Sequence, residues 1–163
     1  MIRPAVPDDL PQILEIYAAA RRFMKASGNP TQWGDTEPGE DLVREDIRLG
    51  HSYVVELDGR LQAVFAMLPG EDPTYRVIEE GAWLDDGPYW AVHRVASRGE
   101  VPGMATEIFR WVLARHPSVR IDTHDDNRPM QHVLEKNGFV RCGRIWTLTG
   151  SPRIAYQHLQ PRP

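Results

Sequence analysis

Residues Tyr89–Gly143 carry the most informative order of elements in the chain. An apolar strand (Tyr89–Ala96) leads through a loop punctuated by Gly99, Pro102 and Gly103 (Ser97–Gly103) into an amphipathic helix; a second strand follows (Val119–Thr123), then Asp125-Asp126-Asn127 opens another helix. Strand, glycine loop and helix N-terminus in succession build a seat for a phosphorylated ligand. Gly99 and Gly103 permit backbone conformations and close approaches that a side chain would block, and Pro102 stiffens the turn between them. With Gly103, Met104, Ala105 and Thr106 as the first helical turn, their N–H groups lack intrahelical acceptors and stand at the positive end of the dipole. The spacing meets neither the Walker pattern nor the dinucleotide fingerprint, and an ordinary strand-to-helix loop fits it equally well.

Length and charge narrow the field. The 163 residues suit one domain spanning 1–163, a length that buries about 70% of the unfolded surface. Nineteen basic against 23 acidic residues give a formal charge of −4 with no basic block. That balance gives nucleic acid no electrostatic footprint and favours small molecules or peptides as partners. Cys142 is the single cysteine, which excludes an intrachain disulfide and a Cys-based zinc cluster; no metal is expected, and a lone strand cysteine reads as a small buried hydrophobe. No apolar run approaches the ~20 residues of a membrane span, and Met1 runs straight into structured pattern rather than a signal peptide. The expected compartment is the cytoplasm.

The rest of the chain surrounds that stretch with further elements. Ile2–Val6 reads as a strand, and Pro7-Asp8-Asp9 opens a helix from Leu10 to about Lys25, with Ile13, Leu14, Ile16 and Tyr17 at helical spacing. A loop carrying Trp33 precedes a second helix over Gly39–Leu49. Asp58-Gly59 between Ser52–Leu57 and Arg60–Leu68 is a hairpin signal, because both turn positions need positive backbone angles. Residues Pro69–Pro88 are broken by glycine and proline, with a helical turn near Tyr75–Glu79 and a short extended piece at Gly81–Leu84. Helices over Gly103–Arg115 and Asn127–Asn137 and strands over Phe139–Leu148 and Ile154–Leu159 complete one α/β domain with a mixed sheet.

This order, together with Asn127 through Glu135-Lys136-Asn137-Gly138-Phe139 and with His93-Arg94-Val95-Ala96 before Gly103-Met104-Ala105, resembles the GNAT superfamily of acyl-CoA-dependent N-acyltransferases over nearly the whole chain. The resemblance implies a central mixed, mostly antiparallel sheet flanked by helices, and acetyl-CoA as cofactor. It implies that the N–H groups of Val101, Gly103, Met104, Ala105 and Thr106 hold the CoA pyrophosphate and that the backbone of Val95 and Ser97 pairs with the pantetheine arm. Ala96 and Ser97 then offer donors to the thioester carbonyl, and Asn127 and Met130 complete the cofactor set. The chain departs from the family twice. Only Gly103-x-Ala105 aligns well in the loop, with Glu100 or Val101 where a basic or amide residue is usual; and Leu134 stands where many relatives carry a tyrosine acid.

Acyl transfer to an amine needs a base for the amine proton, whereas a thiolate near pKa 8.5 leaves readily without an acid. His93, on the strand expected to flank the thioester and on one face with Val95, is the first candidate base; a strand histidine bonded to a neighbour is the plainer reading. Glu79 and Glu80 stand near the expected acceptor groove, or form a solvated acidic turn. His124 reaches the arm or braces Asp125 or Asp126, and Tyr156 is a candidate acid or a core tyrosine. Trp33 and Trp83 form a cation cage only if they meet. The implied activity is direct transfer of acetyl from acetyl-CoA to a primary amine of a small molecule or peptide in a ternary complex, with a homodimer compatible. Leu134 and the altered loop leave open a non-catalytic acyl-CoA-binding or sensing module, or an interaction module that has kept only the fold.

Overall fold

The computed structural model describes residues 1–161. Seven strands form one mixed sheet in the order β1-β2-β3-β4-β5-β7-β6, flanked by helices. The chain forms two compact units, one of Met1–Met67 with His93–Ile108 and one of Leu68–Val92 with the chain from Phe109 onward.

In the first unit β1 (Ile2–Pro4) pairs antiparallel with β2 (Ser52–Leu57), and β2 with β3 (Arg60–Pro69). The β2–β3 turn is the Asp-Gly hairpin read from sequence, with Asp58 and Gly59 at φ 51° and 77°. Helix α1 (Leu10–Ala26) carries Pro11 in its first turn and buries Ile13, Ile16, Tyr17, Ala20 and Met24 at helical spacing. It stops where Gly28 turns left-handed at φ 88° and Asn29 N–H returns to the Met24 carbonyl at 2.7 Å. Helix α2 (Glu40–Arg48) buries Val43 and, unusually, Asp46. These two helices and Val54, Leu61, Val64 and Ala96 share one apolar core.

In the second unit β5 (Ser118–Thr123) runs antiparallel to β7 (Pro152–Leu159), which pairs antiparallel with β6 (Val140–Trp146). The start of β4 (Trp90–Ser97) joins β5 in parallel at Trp90–Val119 and Ala91–Arg120. Helix α3 (Met104–Leu113) leaves the glycine loop, and α4 (Arg128–Lys136) follows β5. Helices α2 and α4 begin one residue later than the sequence pattern predicts because Gly39 and Asn127 are N-caps; the Asn127 Oδ1 accepts from Met130 N–H at 3.2 Å.

The Pro69–Pro88 segment differs most from expectation. Its helical turn is a 3-10 turn at Pro73–Tyr75, and in place of a strand at Gly81–Leu84 a single bridge joins Glu79 to Arg144 through two backbone bonds of 2.9 and 2.8 Å. Two glycines make that crossing possible. A Cβ on Gly81 would overlap the Cys142 carbonyl, and one on Gly143 would come within 2.5 Å of the Glu79 carbonyl oxygen. The expected strand Phe139–Leu148 is shorter at both ends, and its register shifts between Arg141 and Gly143, where the crossing lies. Cys142 is buried there, and burial raises its thiol pKa, consistent with a packing residue.

The crossing sets a stability test. Gly143→Ala must displace backbone rather than a side-chain tip, and is expected to cost about 1–3 kcal/mol in denaturant unfolding. Gly39→Ser, where an added Cβ meets nothing, φ is −70° and serine is a favoured N-cap, is the control and is expected to stay within about 0.5 kcal/mol of the parent.

Candidate functional site

The centre of the first unit is a break in the regularity of β4. Arg94 sits at φ 53° in mid-strand, a left-handed conformation that costs a side-chain-bearing residue about 1–2 kcal/mol. Three bonds hold it there. The Tyr17 hydroxyl of α1 donates to the Arg94 carbonyl at 3.0 Å, and the Arg94 guanidinium donates twice, at 2.9 and 2.9 Å, to the buried Asp46 carboxylate of α2. The left-handed residue interrupts the two-residue alternation of the strand, so spacing does not place His93 and Val95 on one face. Both are half-buried, Ala96 is buried, and Ser97 is half-buried.

Beyond Ser97 the chain is tied down on one side and open on the other. Arg98 turns inward: its guanidinium donates to the Leu61 carbonyl at 2.7 Å, to Glu15 at 2.9 Å and to Gln12 at 3.3 Å, and its N–H to the Gln62 carbonyl at 2.8 Å. Glu100, the acidic residue where a basic or amide one is usual, is gripped by Arg60 at 3.0 and 2.6 Å and by Gln62 at 3.3 Å. The Arg60 guanidinium holds its carboxyl below the usual carboxylate range, so an anion placed on this loop meets a compensated charge. Gly99 and Gly103, at φ 82° and 83°, have nothing within 4 Å of where a Cβ would stand.

Gly103 closes the loop as the residue before α3, its carbonyl accepting from Glu107 N–H at 3.1 Å. The N–H groups of Gly103, Met104, Ala105 and Thr106 are therefore the four that helix geometry leaves without intrahelical acceptors. Met104 is buried and anchors the turn, while Ala105 and Thr106 are half-exposed and Gly103 is exposed. Backbone donors grouped at a helix N-terminus suit an anionic group, and Val101, in the loop before them, is half-buried.

Apart from Trp33, the other sequence candidates lie in the second unit. Asn127 is buried as the α4 cap and Met130 is half-buried. Glu80 is exposed at φ 59°, with Arg144 at 3.1 Å; the same guanidinium donates to Asp125 at 3.0 Å. Tyr156 is fully buried in β7, and burial first, then the Glu135 carboxylate, raises its pKa. Leu134 is fully buried, and His124 braces the following turn by accepting from Asp126 N–H at 3.0 Å. Trp33 packs edge-on against Tyr17 with ring centroids 5.6 Å apart, whereas Trp83 packs on Tyr75 and faces a cation of the protein itself, Arg120, at 4.3 Å. Among the described residues no group of three His, Cys, Asp or Glu could hold a metal, and no helix is long and apolar enough to cross a membrane.

Sequence reasoning missed Arg94, Asp46 and Arg98. Asp46 carried a signal: it falls three residues after Val43 and beside Ile47, on the apolar stripe of α2, where a carboxylate needs a cation. Arg94 carried none, because only glycine advertises a left-handed backbone in sequence.

The sequence matches the acetyltransferase (GNAT) domain family over residues 1–140. A GNAT-family acetyltransferase of Streptococcus agalactiae 2603, known from its crystal structure, is 32% identical with a TM-score of 0.89, over 99% of this chain and 96% of that one. A protein of Staphylococcus aureus Mu50 is 25% identical with a TM-score of 0.70, over 98% of each chain. The S-(2-succino)cysteine N-acetyltransferase of Bacillus subtilis (strain 168) is 27% identical over 154 residues, 86% of this chain and 84% of that protein.

The open cradle predicts how CoA binding responds to its glycine. CoA is expected to bind at micromolar concentration by calorimetry, and Gly103→Leu to weaken it by at least about tenfold, or 1.4 kcal/mol, through filled space and a strained φ. Unchanged affinity in a folded Gly103→Leu protein contradicts the placement.

Proposed function

This chain belongs to the GNAT acetyltransferase family, and on that premise we propose that it transfers an acetyl group directly from acetyl-CoA to the primary amine of a small molecule while both are bound. The observation that carries this reading is the loop into α3: two left-handed glycines with empty space beside them, a neutralised Glu100, and four backbone donors that the helix itself leaves without acceptors. Those donors bind the pyrophosphate, and the backbone of Val95, Ala96 and Ser97 holds the pantetheine arm and orients the acyl group. Acetyl-CoA supplies the activated acyl group as a thioester.

His93 is the base in this reading. The acyl–nitrogen bond forms as the acyl–sulfur bond breaks, His93 takes the proton the amine loses, and the electron pair of the broken bond leaves with sulfur as thiolate. Leu134 donates no proton, and the low basicity of a thiolate makes a dedicated acid dispensable. Tyr156, fully enclosed, and Glu80, held by Arg144, are weaker candidates for roles that need contact with the reacting groups.

The Bacillus subtilis relative, named for a cysteine that bears a succino group on sulfur, directs the choice of acceptor toward amino acids carrying extra carboxylates. In an assay of CoA thiol release, S-substituted cysteines are expected to stimulate turnover more than polyamines or peptide N-termini. His93→Ala is expected to lower kcat by about 10²–10⁴-fold with CoA affinity retained. CoA binding without stimulation by any amine contradicts the transferase reading; near-normal kcat in His93→Ala removes His93 as the base.

A further inference from the structure

We propose that Asp46, Arg94 and Tyr17 form a latch that aims the backbone N–H of Val95, making Asp46 on α2 and Tyr17 on α1 positioning residues for the acyl group. The proposal rests on the reading that the β4 backbone holds the acyl-bearing arm.

A single peptide joins Arg94 to Val95. Its carbonyl oxygen belongs to Arg94 and its N–H to Val95, and in a trans planar peptide the two point in opposite directions. The Tyr17 hydroxyl fixes the oxygen at 3.0 Å, so α1 on one side of the strand sets the direction of the donor on the other. Tyr17 is buried, and burial pushes its phenol pKa well up, which keeps the hydroxyl protonated and donating. Its ring meets Trp33 edge-on, so the α1–α2 loop steadies the same side chain.

The other end of the latch holds the torsion. A left-handed arginine in mid-strand returns to extended geometry unless something opposes it. Both guanidinium donors reach both oxygens of Asp46, which fixes the side chain in direction as well as distance. Asp46 is buried on the apolar stripe of α2, where a hydrophobic residue would pack without the desolvation penalty of a carboxylate. Neither Asp46 nor Tyr17 is among the residues read as touching cofactor or acceptor. Their shared feature is that each holds a different part of Arg94.

The test compares Tyr17→Phe, Asp46→Asn, Arg94→Ala and Arg94→Gly with the parent in calorimetry against acetyl-CoA and CoA separately, in thermal unfolding and in amine-dependent turnover. Tyr17→Phe keeps the packing of the ring, so it remains informative if the charged variants fail to fold. In the folded variants affinity for CoA is expected to fall less than affinity for acetyl-CoA, because the pyrophosphate donors lie on α3 and only the arm contact at Val95 is disturbed. The preference for acetyl-CoA over CoA is expected to shrink and kcat to fall about tenfold or more, with KM for acetyl-CoA moving less. Arg94→Gly is expected to keep several-fold more kcat than Arg94→Ala, since glycine takes the left-handed backbone without strain. Unchanged acetyl discrimination and kcat in Tyr17→Phe and Asp46→Asn, or an Arg94→Gly no better than Arg94→Ala, overturns the latch. A parent protein that binds neither CoA nor acetyl-CoA overturns the underlying reading and the latch with it.

Discussion

The first turn of a helix presents backbone N–H groups that nothing within the helix can satisfy, and α3 opens with four of them, from Gly103 to Thr106. Arg98, the cation nearest the loop in sequence, is spent inward on β3 and α1 rather than outward on a ligand. Glu100, which alone would repel a phosphate, is drawn onto Arg60 and Gln62. Gly99 and Gly103 then carry the backbone through two left-handed positions with no side chain in the space beyond. The charged side chains of the loop are thus compensated within the protein, and the helix fixes the direction of its backbone donors.

Strand β4 carries a second departure from regular structure, at Arg94. A ladder that pairs every N–H and C=O leaves no donor over, whereas a left-handed residue disrupts the pattern locally. Arg94 does this without being glycine, and the conformation is held by long-range partners on α1 and α2. The same interruption changes what the sequence implied for His93, whose position relative to Val95 no longer follows from alternation.

What the sequence made legible was local. Asp58-Gly59 specifies its own turn, the apolar stripe of α1 specifies its buried face, and the glycine loop before α3 can be recognised because both glycines and the helix start lie within a few residues. What it hid depends on distant partners. Gly81 and Gly143 look like independent breakers until Glu79 and Arg144 are seen to pair between them. Arg94 looks like an ordinary strand residue until Tyr17 and Asp46 are found holding it. Of the candidate site, a cofactor half could be proposed from sequence because the chemistry expected of it is carried by backbone and glycine. The proton-transfer half was not, since Leu134 removes the family's usual acid and the alternatives are separated along the chain.

The central claim, that the N–H groups opening α3 are the phosphate donors, is tested most directly by following backbone amides in a ¹⁵N-labelled protein titrated with CoA. The account predicts that Gly103, Met104, Ala105 and Thr106 show the largest shifts, that Val95 and Ser97 follow, and that a pantetheine fragment lacking the pyrophosphate moves only the latter pair. Shifts centred elsewhere, with the four α3 amides unmoved at saturation, would contradict it.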